Sequence, residues 1–235
     1  MTDRNYIVQR WTHEIAEHDH KHGQVVEITV NDRAAVREAI IHRVIESGMN
    51  FVTRSDWAAS KNRSANMKDD WNYTMIAIHH AGRSMSCGPA ALQLQDVQHL
   101  HMYEKGFDDI GYHYAIDCMG NIFEARDIRF KGQHLKEYNT GAIGIVLLEN
   151  LTVPGEGVGG KSKFTSLFFA TPVAPEAQID SARKLVFILS EFFPIKILGG
   201  HREFPYQYDE NKICPGNVGM ELVKNLRKVT GLMEP

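Results

Sequence analysis

Apolar positions along this chain switch between two spacings, and the switching predicts strands and helices in turn. "VVEITV" (25–30) reads as a short strand. Asn31 or Asp32 can cap a helix running to about Ser47, with Val36, Ile40 and Val44 on one face. "YTMIAIHH" (73–80) is continuously apolar up to two terminal histidines, the pattern of a buried strand. Pro89 opens a helix through Leu92, Val97 and Leu100 toward Tyr103. "YHYAID", "CMGN" and "IFEARD" follow one another as a hairpin, with Gly120 in the turn. "AIGIVLLE" (142–149) has the unbroken apolarity of a central strand covered on both faces.

The pattern breaks at 151–175, where four glycines and three prolines mark a long loop or insertion. Within it "FTSLFFA" is apolar enough to form a lobe beside the main sheet. From Glu176 a helical stripe of Ala182, Leu185, Val186, Leu189, Phe192 and Phe193 runs to Pro194. "IKILGGH" is another short strand, and a last helix after Asn217 is expected to bury Val218, Leu222, Leu226 and Val229. Alternating strands and helices predict an α/β fold, a single domain whose central mixed β-sheet is flanked by helices. Residues 1–50 form an N-terminal extension, a strand plus a helix packing on the core. Residues 51–235 form the main domain, interrupted at about 151–175.

At 235 residues the chain can bury a sizeable core without staples. Its formal charge of -3 and the absence of any Lys/Arg run exclude a nucleic-acid arm. Three cysteines, Cys87, Cys118 and Cys214, are too few and scattered for a disulfide scaffold and fit metal binding or catalysis better. Cys118, at a strand end, reads as a small buried hydrophobe. The opening 30 residues carry "WTHEIAEHDHKHG" where a signal peptide needs an apolar run, and "EHDHKHG" (17–23) reads as a solvated polar tract. Synthesis in the cytoplasm without a Sec signal, and no membrane span, are expected.

His79 and His201 both stand at the C-terminal end of an apolar strand, where α/β folds place their ligands. Thirteen residues beyond His201, Cys214 lies in a polar loop. Two imidazoles and a thiolate make a tetrahedral zinc site with one position open, the ligand count of a catalytic zinc. A strand-end histidine is also commonly just a satisfied polar residue, so spacing alone leaves both readings open.

Six motifs in order change that balance: "VTRSDWAA" (52–59), "IAIHHAG", "DDIGYHYAID.MGNIFEARD" (108–127), "QHLKEYNTGAIGIVLLE" (133–149), "GGHREF" (199–204) and "KICPG" (212–216). Together they resemble the type 2 N-acetylmuramoyl-L-alanine amidases, the zinc amidase fold shared by peptidoglycan recognition proteins and bacteriophage amidases. The resemblance covers about residues 50–230. It implies Zn2+ held by His79, His201 and Cys214, with His80 at a non-ligand position. It makes Tyr112 and Lys212 catalytic, places His134 and Asn139 along the substrate groove, and gives Arg54 and Trp57 a structural role. The implied activity is hydrolysis of the amide between N-acetylmuramic acid and L-alanine of peptidoglycan; a non-catalytic peptidoglycan-binding module is the alternative. The setting it suggests is a cell-wall lytic effector or an endolysin, reaching the periplasm by non-Sec delivery or host lysis, with an immunity protein or delivery machinery as further partners. Animal recognition proteins usually carry a disulfide just after the histidine pair. Here Cys87 stands in that region with no further cysteine before Cys118, which speaks against a disulfide-stapled extracellular protein.

The chemistry can be argued from the residues themselves. Zinc lowers the pKa of water to about 7 and polarises a carbonyl, which is what amide hydrolysis at neutral pH needs. Lys212 is assigned to the developing oxyanion and Tyr112 to a hydrogen bond on the hydrolytic water. No glutamate stands in an HExxH arrangement, so a carboxylate base of that type has no support.

Overall fold

The computed structural model describes residues 5–9, 27–82, 87–154, 156, 173–207 and 212–235. Most of the 151–175 insertion, including "FTSLFFA", and the whole of "EHDHKHG" lie outside the described residues. Strands β1 (Asn5–Gln9) and β2 (Glu27–Asn31) pair antiparallel as a separate ribbon, and β2 leads into helix α1 (Asp32–Glu46).

A six-stranded sheet positions everything that follows. Its strands are β3 (Phe51–Val52), β4 (Met75–His80), β5 (Tyr114–Ile116), β6 (Ile122–Glu124), β7 (Ala142–Leu147) and β8 (Ile197–Gly200), in the order β3-β6-β5-β7-β4-β8. The β5–β6 hairpin pairs antiparallel and the other neighbours run parallel, so the sheet is mixed. Every residue of β7 is buried, as its unbroken apolar run demands of a strand covered on both faces.

Alternation along the strands divides the core in two. Ile76 and Ile78 of β4, with Ile143, Ile145 and Leu147 of β7, face one side. There they meet α1 through Ile40 and Val44, α3 (Glu176–Phe192) through Leu185 and Leu189, and α4 (Gly216–Thr230) through Leu222 and Leu226. Ala115, Phe123, Val146 and Leu148 face the other side, against Trp57 and against Leu94 and Val97 of α2 (Ala90–His99). Trp57 donates its indole N–H to the Glu124 carbonyl at 2.7 Å, and Arg54 pairs with the buried Asp109 at 3.0 Å. These two residues tie the segment after β3 to the hairpin, which is a structural role.

The helix through Leu92 toward Tyr103 is present, and two other expectations are corrected. Leu92 and Tyr103 are 59% and 64% exposed, and the buried stripe of α2 is Gln93, Leu94, Val97 and Gln98, continuing into a π-turn at Leu100–Glu104. Apolar periodicity missed it because Gln98 is buried by satisfaction: its amide donates to Asp109 at 2.7 Å and to the Ser60 carbonyl at 3.1 Å. Val229 is 54% exposed, since the stripe of α4 ends at Leu226. Cys118 is bonded to Cys87 across a Cα–Cα distance of 5.3 Å. β4 and β5 both pair with β7, so the chain leaving each strand emerges at the same end of the sheet, and the disulfide bridges over β7. A separation of 31 residues hides that proximity from the sequence.

The sheet also buries a titratable histidine. His113, fully buried beside β5, accepts the Gly144 N–H at Nδ1 (3.0 Å) and donates from Nε2 to the Phe130 carbonyl (3.0 Å). Burial pushes its pKa down from 6.5 to about 3, because a second proton would have to displace the Gly144 donor in a dry site. A histidine with a depressed folded pKa stabilises fully above its unfolded value and loses that contribution as pH falls. Unfolding free energy should therefore drop between pH 6.5 and about 3, by at most about 1.4 kcal/mol per pH unit from this group. Urea titrations at stepped pH check this, with a shallower slope expected for His113→Gln. A wild-type stability flat across that window would contradict it.

Candidate metal centre

β4 ends in two histidines, and strand alternation separates their fates. His79 shares the face of Ala77 and is completely buried. His80 turns to the opposite face, where its Nδ1 accepts the Leu151 N–H at 3.1 Å. Burial, more than the opposing effects of Glu156 and Arg202, holds His80 neutral down to about pH 4. One histidine of the pair is thereby a structural acceptor and the other is free to serve the groove.

His79 is oriented by His134. The His134 ring lies 5.0 Å from that of His79 in an edge-to-face arrangement, its Nδ1 3.0 Å from His79 Nε2 and its Nε2 3.2 Å from the Ala142 carbonyl. The carbonyl can only accept, so His134 Nε2 carries the proton and Nδ1 is an acceptor. His79 Nε2 must then donate, which leaves the His79 Nδ1 lone pair facing Cys214 Sγ at 3.7 Å. The His134 ring reaches this place only between glycines: a Cβ on Gly132 would stand 2.6 Å from it and one on Gly144 2.7 Å.

His201 follows β8, the strand paired with β4, and its ring lies 4.5 Å from that of His79. Its Nε2 is 3.1 Å from the side-chain oxygen of Gln207. Cys214 enters from the loop before α4, with the His80 backbone N–H 3.4 Å from its sulfur. Arg202 locks that loop to the His201 turn, since its backbone N–H donates to the Cys214 carbonyl at 3.0 Å and its guanidinium pairs with Glu156 at 3.0 Å. The result is one donor atom each from His79, His201 and Cys214, all within 4.8 Å of one another, a group that can hold a metal ion. A second compact group, Cys87, Cys118 and Glu149, has both its sulfurs tied in the disulfide.

Electrostatics suit a cation site. Burial, then the nearby His201 and His134, hold His79 well below the usual histidine pKa, so its lone pair is available at neutral pH. Burial pushes the Cys214 thiol up to about 12, against the lowering effects of the His80 N–H, Arg202 and Lys212. A thiol this reluctant to ionise gives up its proton only to a strong positive partner.

A groove of about 430 Å³ is lined by His201 of the trio together with Tyr112, His134, Asn139 and Lys212 among others. Five residues assigned from sequence thus meet in one cleft. The Tyr112 ring packs on His79 at 4.8 Å, and burial, then Cys214, raises its hydroxyl pKa above the ordinary value. Lys212 is exposed at the rim, close enough to Lys105 that its charge helps lower the Lys105 pKa, after burial. Asn139 spends its side-chain oxygen on the His134 and Leu135 N–H groups, at 2.7 and 2.8 Å, and so shapes the loop that carries His134. Sequence reasoning missed Gln207, His101 and Lys105; each stands in a polar or mixed stretch without a recognisable motif.

Residues 69–217, more than half of the chain, match the family described as N-acetylmuramoyl-L-alanine amidase, and the chain belongs to that family. It is 38% identical over 107 residues to peptidoglycan-recognition protein SC2 of Drosophila melanogaster, covering 44% of this chain and 56% of that one. Against peptidoglycan-recognition protein LB of the same species it is 27% identical over 173 residues, covering 71% and 64%. The chain therefore spans between about half and two thirds of the length of these curated relatives. Among solved structures, Drosophila PGRP-LB superposes with a TM-score of 0.59 at 24% identity, covering 79% of this chain and 96% of that one. The ectodomain complex of PGRP-LCa and PGRP-LCx with bound tracheal cytotoxin gives 0.61 at 21% identity, covering 79% and 99%. These likenesses establish the mixed α/β fold expected from the sequence. Among the described residues no helix is long and apolar enough to cross a membrane.

Proposed function

We propose that this protein is a zinc-dependent amidase cleaving the bond between N-acetylmuramic acid and L-alanine in peptidoglycan. The observation that carries the reading is the convergence of His79, His201 and Cys214, with His201 lining a groove that also displays Tyr112 and Lys212. The donor set fits zinc. Tetrahedral zinc with nitrogen at about 2.0–2.1 Å and sulfur at about 2.3 Å puts such a pair about 3.5 Å apart, and His79 Nδ1 lies 3.7 Å from Cys214 Sγ. When bound, zinc supplies a Lewis acid and a nucleophile at neutral pH.

The chain's own residues supply the rest. Tyr112 keeps its proton at neutral pH because burial raises its pKa, so its hydroxyl is a fixed donor for the hydrolytic water or the scissile carbonyl. Lys212 brings an ammonium to the rim, where the carbonyl oxygen becomes an oxyanion. His134 and Asn139 form the wall along which the stem peptide lies. In this reading residues 51–235 are the catalytic unit and residues 1–50 an extension on it. The Cys87–Cys118 disulfide supports an oxidising compartment, which suits an enzyme that meets the wall outside the cytoplasm. An injected lytic effector would come with an immunity protein and delivery machinery, an endolysin with a holin, and the gene neighbourhood separates the two.

Digestion of purified sacculi tests the reaction. The expected products are free stem peptides beginning with L-alanine and glycan chains with intact muramic acid, lost with a chelator and restored by zinc. New reducing ends, or peptides cut at their cross-links, would mean a different hydrolase. Sacculi bound by the zinc-loaded protein without release would favour a peptidoglycan-binding module, a reading that the names of the recognition-protein relatives support.

A further inference from the structure

His79 owes its metal-facing lone pair to His134, and His201 needs an equivalent partner. Gln207 is completely buried although it is a primary amide in a polar loop. Its nitrogen donates to the Lys136 carbonyl at 2.9 Å and to the Pro205 carbonyl at 3.0 Å. Both partners can only accept, so the amide cannot be flipped and its oxygen must point the other way. That oxygen takes the Lys136 N–H at 3.2 Å and meets His201 Nε2 at 3.1 Å. An oxygen facing a ring nitrogen can only accept, so His201 Nε2 carries the proton and Nδ1 the lone pair. The chain turns Gln207 inward at Tyr206, a non-glycine residue in the left-handed region at φ 66°, a conformation held only where its surroundings require it.

We propose that Gln207 is a positioning residue that fixes the His201 tautomer, so that both imidazoles present Nδ1 to the metal before it arrives. A ligating histidine whose other nitrogen is held binds more tightly because neither the tautomer nor the ring angle has to be selected on binding. Gln207 also bonds the His201 turn to the groove wall at Lys136, so one side chain sets both the ring and the distance across the cleft. The inference rests on the zinc reading of the trio, but its first test needs no metal.

Long-range proton–nitrogen correlation spectra of the metal-free protein, at mildly alkaline pH, report the tautomer of each histidine. Wild type should show Nε2–H for both His79 and His201. Gln207→Met removes the acceptor at similar length: His201 should become a mixture while His79, held by His134, keeps its tautomer, and zinc affinity by chelator competition should fall about 10- to 100-fold. Gln207→Glu keeps an acceptor and loses the two amide donors, so the His201 tautomer and zinc affinity should stay close to wild type. The proposal is overturned by wild-type His201 protonated at Nδ1, by Gln207→Met matching wild type, or by Gln207→Glu losing zinc as fully as Gln207→Met. Loss of both tautomers together in Gln207→Met would also count against it, as general loosening. Expected tautomers in a wild type that takes up no zinc would instead sink the zinc reading while upholding the tautomer assignment.

Discussion

Cys214→Ser should leave a folded protein that no longer holds zinc and no longer releases peptide from sacculi. Cys214 is the free cysteine of the three, since Cys87 and Cys118 are bonded to each other. Its sulfur touches the protein through weak contacts, the His80 N–H at 3.4 Å being the shortest, so a serine hydroxyl costs little in the metal-free fold. What is lost is the one soft anionic donor of the trio. A neutral hydroxyl is a poor zinc ligand, and with structural zinc sites worth about 10–16 kcal/mol over four ligands, removing one should weaken affinity on the order of a thousandfold. Elemental analysis after exhaustive dialysis reads the metal, and thermal melts of both proteins in chelator read the fold. Full zinc and full activity in Cys214→Ser would show that the ligand assignment is wrong. A large loss of metal-free stability would show that the thiol is core rather than ligand.

The parts of this molecule legible in the sequence are those where one physical rule acts alone. β7 was readable because full burial requires an unbroken apolar run, and α3 because its stripe from Ala182 to Leu189 recurs at helical spacing. His79 and His201 could be placed side by side because both end apolar strands, and those strands pair. Features that depend on which strands are neighbours were not readable. The Cys87–Cys118 bond requires that β4 and β5 flank the same strand, a fact of topology rather than of spacing. His134 was assigned to the groove, but its hold on His79 depends on two glycines, Gly132 and Gly144, approaching one ring from different segments. Gln98 and Gln207 were invisible for a shared reason: a polar residue buried with every group satisfied looks, in sequence, like a residue of the surface.

Lys212→Ala should lower kcat about a hundredfold, roughly 2.7 kcal/mol of transition-state stabilisation, with KM and zinc content near wild type. The reasoning follows from its position: it is exposed at the rim of the groove and is not one of the trio, so its removal takes away no metal ligand. Its ammonium gains most when the carbonyl oxygen takes up charge, and an interaction that grows only toward the transition state appears in kcat rather than KM. Tyr112→Phe should behave alike for a different reason. The ring that packs on His79 at 4.8 Å is kept, while the hydroxyl proposed to orient water or carbonyl is removed. Lys105→Ala is the control, because Lys105 lines the same groove and carries a charge of the same sign. A general need for positive potential would make Lys105→Ala and Lys212→Ala equally slow and raise KM in both, and would take the oxyanion role away from Lys212. Loss of zinc in Tyr112→Phe would likewise turn Tyr112 from a reacting group into a support for His79.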